Sequence, residues 1–245
     1  MQLFGLIGKK LSHSFSKKYF SEKFKKENIA DTSYELFELE NITLLPDLLD
    51  QQPTLKGFNV TIPYKKEILP FLNEIDPSAA KVGAVNVVKV KSDGTMHGYN
   101  SDYYGFKISL ENWCPVKPQA LVLGTGGAAD AVCAVLKELN LKFNKVSRQK
   151  TKGGYTYEEL INRPEIMDIY KLVVNTTPLG MYPDENSKPN LPYEALTPKH
   201  YLYDLVYNPE ITAFMKSGMD SGANVKNGLE MLELQAERSW EIWNT

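Results

Sequence analysis

Gly124-Thr125-Gly126-Gly127-Ala128-Ala129 stands between an apolar run, Ala120 to Leu123, and a segment to about Asn140 that reads as a helix. Strand, glycine turn and helix in that order give a GxGxxA spacing its meaning. Gly124 permits the tight turn, Gly126 lets a pyrophosphate approach the backbone, and Ala129 is small enough for helix and strand to pack. With Gly127 and Ala128 they form a candidate cofactor loop, in which the amides at the helix start receive the anion. Phe143 to Val146 supplies the next strand, so the stretch opens a βαβ unit. Where units selective for NAD offer an acid at the end of that strand, this chain reads Val146-Ser147-Arg148-Gln149-Lys150. A guanidinium there clamps a 2′-phosphate, with Lys150 or Lys152 adding charge, and the expected cofactor is NADP rather than NAD.

Working outward, the first half alternates short strands and helices. Strands are expected at Gln2 to Ile7, Tyr34 to Phe37 and Gly57 to Ile62. Helices are expected from about Ser14, over Ile42 to Leu49, and after Pro63, where a missing N–H does no harm. Ala84 to Tyr99 reads as a hairpin around Ser92-Asp93-Gly94. Pro115 and Pro118 stop the next helix and mark a boundary. Further strands are expected at Leu172 to Asn175 and Tyr201 to Val206. A last helix from about Leu229 carries Leu232, Ala236, Ser239 and Trp243 on one side. The fold class is α/β with two domains: residues 1–112 with 227–245 as a substrate-binding domain, and 113–226 as a Rossmann-like nucleotide domain.

Composition narrows the partners. The chain has 245 residues, 42% of them apolar, which is enough for one large or two small cores. Twenty-eight basic against 30 acidic side chains leave a net charge of -2 and no basic field for nucleic acid or anionic lipid. No apolar run approaches the length of a membrane span, and Met1 to Ser14 places its lysines after a short apolar run, the reverse of a secretory leader. A small-molecule ligand and a cytoplasmic setting are expected. Cys114 and Cys133 are isolated, and His13, His97 and His200 form no ligand group, so neither a disulfide framework nor a metal site is expected.

Hydride chemistry at a carbonyl needs a proton donor and acceptor, and no histidine has an evident position for it. Lys65, in Asn59-Val60-Thr61-Ile62-Pro63-Tyr64-Lys65, falls about two residues inside the expected proline-started helix, where the macrodipole disfavours the ammonium form. Alone, it reads better as a solvated helix lysine than as a catalytic one, and adjacent Lys66 offers the same composition. Asp102, after Tyr99-Asn100-Ser101, reads as an acid or as an N-cap.

Taken together these segments resemble the shikimate dehydrogenase family nearly end to end. His13-Ser14-Phe15-Ser16 is similar to the family's N-terminal serine pair, Asn59-Val60-Thr61 with Lys65 to its lysine segment, and Gly83-Ala84-Val85-Asn86 to its GAVN. Asn100-Ser101-Asp102, the glycine loop, Asn175-Thr176-Thr177-Pro178, Tyr203-Asp204 with Tyr207-Asn208-Pro209, and Gly228 through Met231-Leu232 to Gln235-Ala236 follow in the family's order. The resemblance implies NADP-dependent reversible reduction of 3-dehydroshikimate to shikimate, a step toward chorismate and the aromatic amino acids. It implies Lys65 and Asp102 as the catalytic pair, and Ser14 and Ser16 on the substrate carboxylate with Tyr207 nearby. Thr61, Asn86, Asp102 and Gln235 are implied on ring hydroxyls, and Thr176 and Gly228 join Arg148 and the glycine loop around the cofactor. Departures are Val87 and Ser101, each where the family has Thr, and Ser147-Arg148-Gln149, which keeps only the arginine of Asn-Arg-Thr. A quinate or dual quinate/shikimate dehydrogenase stays open as a rival, as does a non-catalytic NADP-binding regulator.

Overall fold

Along β1 (Gln2–Gly8) side chains alternate between two apolar cores, as the period of a strand requires. Leu3 and Ile7 join Leu45, Phe58, Tyr64, Ile68 and Val88 on one face; Phe4 and Leu6 join Phe20, Phe24, Tyr34, Ala236 and Trp243 on the other. A strand apolar on both faces belongs inside a sheet covered on both sides. The structure, a computed structural model, describes residues 1–11 and 14–245. His13 of the serine motif lies outside the described residues.

The first sheet continues through α1 (Phe15–Lys26), β2 (Thr32–Glu38), α2 (Leu45–Gln51), β3 (Leu55–Val60), β4 (Glu74–Ile75), α3 (Pro77–Val82), β5 (Val87–Val90) and β6 (Met96–Tyr99). Its strand order is β2-β1-β3-β5-β6-β4. The β1, β2 and β3 pairings are parallel, whereas β5 pairs antiparallel with β3 and β6 around the expected hairpin. Next come α4 (Ser101–Trp113), β7 (Gln119–Leu123), α5 (Gly127–Glu138), β8 (Phe143–Ser147), β9 (Tyr155–Thr156), α6 (Tyr157–Asn162), α7 (Ile166–Ile169), β10 (Tyr170–Asn175), β11 (Tyr201–Asp204), α8 (Ala213–Asp220), β12 (Asn224–Lys226) and α9 (Leu229–Asn244). The second sheet, ordered β12-β11-β10-β7-β8-β9, is parallel throughout. The class is α/β, as expected.

The chain forms two compact units, residues 1–104 with 234–245 and residues 105–233. They do not change over at Pro115 and Pro118, where the sequence suggests a boundary, but inside α4 and α9. The second half of α4 has its partners in the second unit: the Phe106 ring packs 5.2 Å from Tyr203, the Ser109 hydroxyl lies 2.8 Å from the Tyr203 phenol, and Trp113 meets Tyr201 edge-on. At the start of α9, Glu230 accepts from Ser109 and Asn112. Further along α9, Trp243 lies over Gly57, where a Cβ would stand 2.3 Å from the indole, and its Nε1 donates to the Val88 carbonyl.

Ile42 to Leu49 is helical as expected, a 3₁₀ turn, Ile42–Leu44, running directly into α2. One local expectation fails. Pro63 opens no α-helix: residues 62–68 are consecutive turns, with Tyr64 N–H on the Thr61 carbonyl at 2.9 Å and Ile68 N–H on the Tyr64 carbonyl at 3.0 Å. Tyr64 and Ile68 are buried in the core of the first unit, and the segment makes separate turns there rather than a continuous helix.

Candidate active site

Three segments of the first unit are knitted by backbone bonds. Val60 N–H donates to the Asn86 carbonyl at 2.9 Å, Val85 N–H to the Lys65 carbonyl at 2.8 Å, and Asn86 N–H to the Tyr99 carbonyl at 3.0 Å. The Asn100 side-chain amide adds a bond to the Ala84 carbonyl at 2.9 Å. Residues 59–65, 83–86 and 99–102 therefore hold one another in place, and at their meeting point Lys65 Nζ lies 2.6 Å from Asp102 Oδ2. Both side chains are largely buried, at 24% and 18% exposure. With no helix at Pro63, the macrodipole argument for Lys65 loses its premise; the carboxylate is the group that faces the amine. Nor is Asp102 the cap of α4. Asn100 Oδ1 accepts from Tyr103 N–H at 2.9 Å, and Asp102 is left in the first turn with its carboxylate available to Lys65.

Beside this pair runs a buried polar network. Asn86 Oδ1 accepts Ser101 N–H at 2.7 Å, its Nδ2 donates to the Ser101 hydroxyl at 3.2 Å, and that hydroxyl donates to Gln235 Oε1 at 3.3 Å. Ser239 lies 3.2 Å from Ser101 and accepts from Asn59 Nδ2 at 2.9 Å; Asn59 Oδ1 in turn accepts from Tyr34 at 2.8 Å. Tyr34 also bonds the side chain of Ser16, and burial pushes its phenol well above the usual tyrosine range while that bond pulls the other way. Ser14 accepts Lys17 N–H at 3.4 Å as the cap of α1. Thr61 follows β3, its N–H on the Ile7 carbonyl at 2.9 Å. Among the described residues every buried side-chain nitrogen and oxygen has a partner, which is the condition for burying such a network without loss. Of the expected residues, Lys65, Asp102, Asn86 and Gln235 are brought together here. Tyr34 and Ser239 were not singled out for the site. Ser239 had a signal, a hydroxyl within an apolar stripe; Tyr34 had none beyond its place in a strand.

The second unit holds the remaining candidates. Gly124 has φ +117, a conformation that favours glycine, and a Cβ there would stand 2.6 Å from Thr176 Oγ1. Gly126 caps α5 with no side-chain bond, and a Cβ on Gly126 or Gly127 would meet nothing within 4 Å. The helix start is therefore bare, with Ala128 following and Ala129 fully buried against the sheet. The open space at this helix start fits a pyrophosphate on helix amides. Thr176 donates from N–H and hydroxyl to the Leu123 carbonyl at 3.0 and 2.6 Å. Gly228 N–H reaches the Val206 carbonyl at 3.1 Å, and a Cβ there would stand 2.1 Å from the Leu205 carbonyl oxygen. Arg148 is exposed at the end of β8 and in no ion pair among the described residues, as a phosphate ligand requires. Lys150 differs from expectation: its ammonium lies 2.5 and 2.7 Å from the two Glu159 oxygens, an acid fixed by the cap of α6. Tyr207 is half-buried in this unit, and burial pushes its phenol up.

Residues 6–88 match the family model described as the shikimate dehydrogenase substrate binding domain. The NADP(+)-dependent shikimate dehydrogenase of Clostridium beijerinckii is 40% identical over 99% of this chain and 92% of its own. Among solved structures, the shikimate 5-dehydrogenase of Thermus thermophilus in complex with NADP(H) and shikimate is 29% identical, with a TM-score of 0.84 over 99% of this chain and 93% of that one. The quinate dehydrogenase of Corynebacterium glutamicum in complex with NAD has a TM-score of 0.87 over 99% and 93%, at 25% identity.

Proposed function

The chain belongs to the shikimate dehydrogenase family, and from that premise we propose how its residues divide the work of the reaction. The protein is an NADP-dependent oxidoreductase that interconverts 3-dehydroshikimate and shikimate. Bound NADPH supplies the hydride. Lys65 holds a proton at Nζ toward the carbonyl oxygen: as the hydride adds to the carbon, the Nζ–H bond breaks, an O–H bond forms, and the developing alkoxide is neutralised. In the oxidation direction the same amine takes the proton back. Asp102 holds the amine by a charge-assisted bond and accepts from a neighbouring ring hydroxyl, which fixes the ring relative to the proton donor. The 2.6 Å contact between the two side chains carries this reading.

Asn86, Thr61 and Gln235 bind ring hydroxyls. Ser14 and Ser16 bind the carboxylate, since hydroxyls hold an anion without burying a counter-cation. In the second unit Gly124, Gly126, Gly127, Ala128, Ala129, Thr176 and Gly228 receive the dinucleotide, and Arg148 takes its 2′-phosphate. The exposed guanidinium, in no ion pair among the described residues, supports NADP over NAD, and the higher identity to a shikimate than to a quinate dehydrogenase supports shikimate. The cytoplasm is the compartment we propose: both cysteines are free, and no described helix is long and apolar enough to cross a membrane.

Loss of NADPH absorbance on adding 3-dehydroshikimate tests the function, repeated in reverse with shikimate or quinate and either oxidised cofactor. Turnover with shikimate and NADP is expected. Turnover with no pair of substrates would overturn it in favour of a non-catalytic binding protein, and preference for quinate would overturn the substrate assignment.

A further inference from the structure

At the ends of β10 and β11 lies a fully buried carboxylate for which the reaction has no use. Asp204 Oδ1 accepts from Asn175 Nδ2 at 2.9 Å and from Val206 N–H at 3.1 Å, and Oδ2 accepts from the Thr212 hydroxyl at 2.6 Å. We infer that Asp204 is a positioning residue for cofactor binding: its carboxylate orients the Asn175 amide and so fixes the turns bearing Thr176 and Gly228 against the glycine loop. The inference rests on the cofactor reading above.

The argument is one of donors and acceptors. An asparagine amide has two distinguishable ends, and a carboxylate accepts only, so Asn175 must turn its nitrogen to Asp204. Its oxygen then faces the other way, where it takes Thr177 N–H at 3.0 Å and the Thr177 hydroxyl at 2.7 Å. That pins the chain at 175–177. Thr176 is thereby held on the Leu123 carbonyl, against the position a Gly124 Cβ would occupy. On the neighbouring strand, Leu205 N–H donates to the Asn175 carbonyl at 3.0 Å and Val206 accepts from Gly228 N–H at 3.1 Å. Thr212, the third donor, caps α8 by accepting Met215 N–H. One acid thus joins the ends of two strands and a helix start, and two of the candidate cofactor residues lie one or two bonds from it. Burial pushes its carboxyl up to about 6 against the pull of the three donors, which leaves it ionised at neutral pH. An apolar residue of similar size would fill the same space more cheaply, so the polar knot is explained by the orientation it imposes.

Nicotinamide fluorescence gives the NADPH Kd, calorimetry the shikimate Kd, and circular dichroism verifies folding, for wild type, Asp204→Ala, Asp204→Asn, Asn175→Ala and the double alanine variant. Asp204→Ala is expected to weaken NADPH by about tenfold to 100-fold, the scale of a misplaced binding group, with shikimate affinity within about twofold. Asp204→Asn keeps an oxygen for Asn175 and Val206 and can turn its amide toward Thr212, so it should recover most of the affinity. Asn175→Ala should match Asp204→Ala, and the double variant should be no worse than either, since both cut one relay. Unchanged NADPH affinity in Asp204→Ala, whatever its melting temperature, overturns the inference. If that variant does not fold, unchanged affinity in Asn175→Ala overturns it equally. A wild type that binds no NADPH overturns the cofactor reading as well, and that result is distinct from a wild type that binds while the variants match it.

Discussion

Lys65 Nζ and Asp102 Oδ2 stand 2.6 Å apart although 37 positions separate them in the chain. The amine comes from a series of turns and the acid from the first turn of α4, and backbone bonds from Val85 and Asn86 bind the two segments together. Replacing Lys65 by Ala removes the proton donor without touching those bonds. Turnover should fall about 100-fold or more while NADPH affinity holds. Steady-state kinetics alongside fluorescence titration checks this, and undiminished turnover removes Lys65 from the chemistry.

Arg148 is exposed and has no carboxylate partner among the described residues. Arg148→Ala should therefore leave the melting temperature unchanged. It should raise the KM for NADPH about tenfold or more and leave that for NADH alone, since only the former carries the 2′-phosphate. Equal effects on the two cofactors would place the phosphate elsewhere.

Two neighbouring glycines separate folding from binding. Gly124→Ala forces a Cβ into a φ of +117 and within 2.6 Å of Thr176 Oγ1, at a cost of about 1 to 3 kcal/mol in strain, and should lower both stability and NADPH affinity. Gly126→Ala has φ -83 and an open surrounding, so it should melt like the wild type and still weaken NADPH, because the new methyl occupies the space of the anion. Thermal melts and titrations of the pair distinguish the two effects; identical behaviour would contradict the geometry.

The Asp204 carboxyl, pushed up to about 6 from 3.8 chiefly by burial, binds its proton more tightly in the folded than in the unfolded chain. Its contribution to stability is therefore full below about pH 4 and lost as pH rises through about 6. Tyr193, whose phenol feels the Asp204 charge, is driven upward chiefly by burial, so it stays neutral across this window. Relative to Asp204→Asn, which does not titrate, the wild type should lose about 2 kcal/mol between pH 4.5 and 7.5. Urea unfolding at the two pH values measures it, and a flat difference would refute the burial account.

What could be read along the chain was set by near neighbours: the strand before Gly124, the turn at Gly94, the stop at Pro115. Lys65 shows the limit. Proline is equally at home opening a helix or sitting in a turn, and the burial of Tyr64 and Ile68 under a distant sheet chose between them. Tyr34 and Ser239 fell on the correct elements, yet their partner Asn59 lies on a third, and periodicity reports which face a residue takes, not what it meets there. Asp102 is ambiguous for another reason: a carboxylate there can cap the helix or serve the chemistry, and only the observed bond from Tyr103 N–H to Asn100 decides.

That bond separates architecture from chemistry at adjacent positions. Since Asn100, on the Tyr103 N–H, and Asn86, on the Ser101 N–H, secure the entrance of α4, the helix start does not call on the side chain at 102. Position 102 is thereby released to serve the Lys65 amine, while position 100 serves the helix.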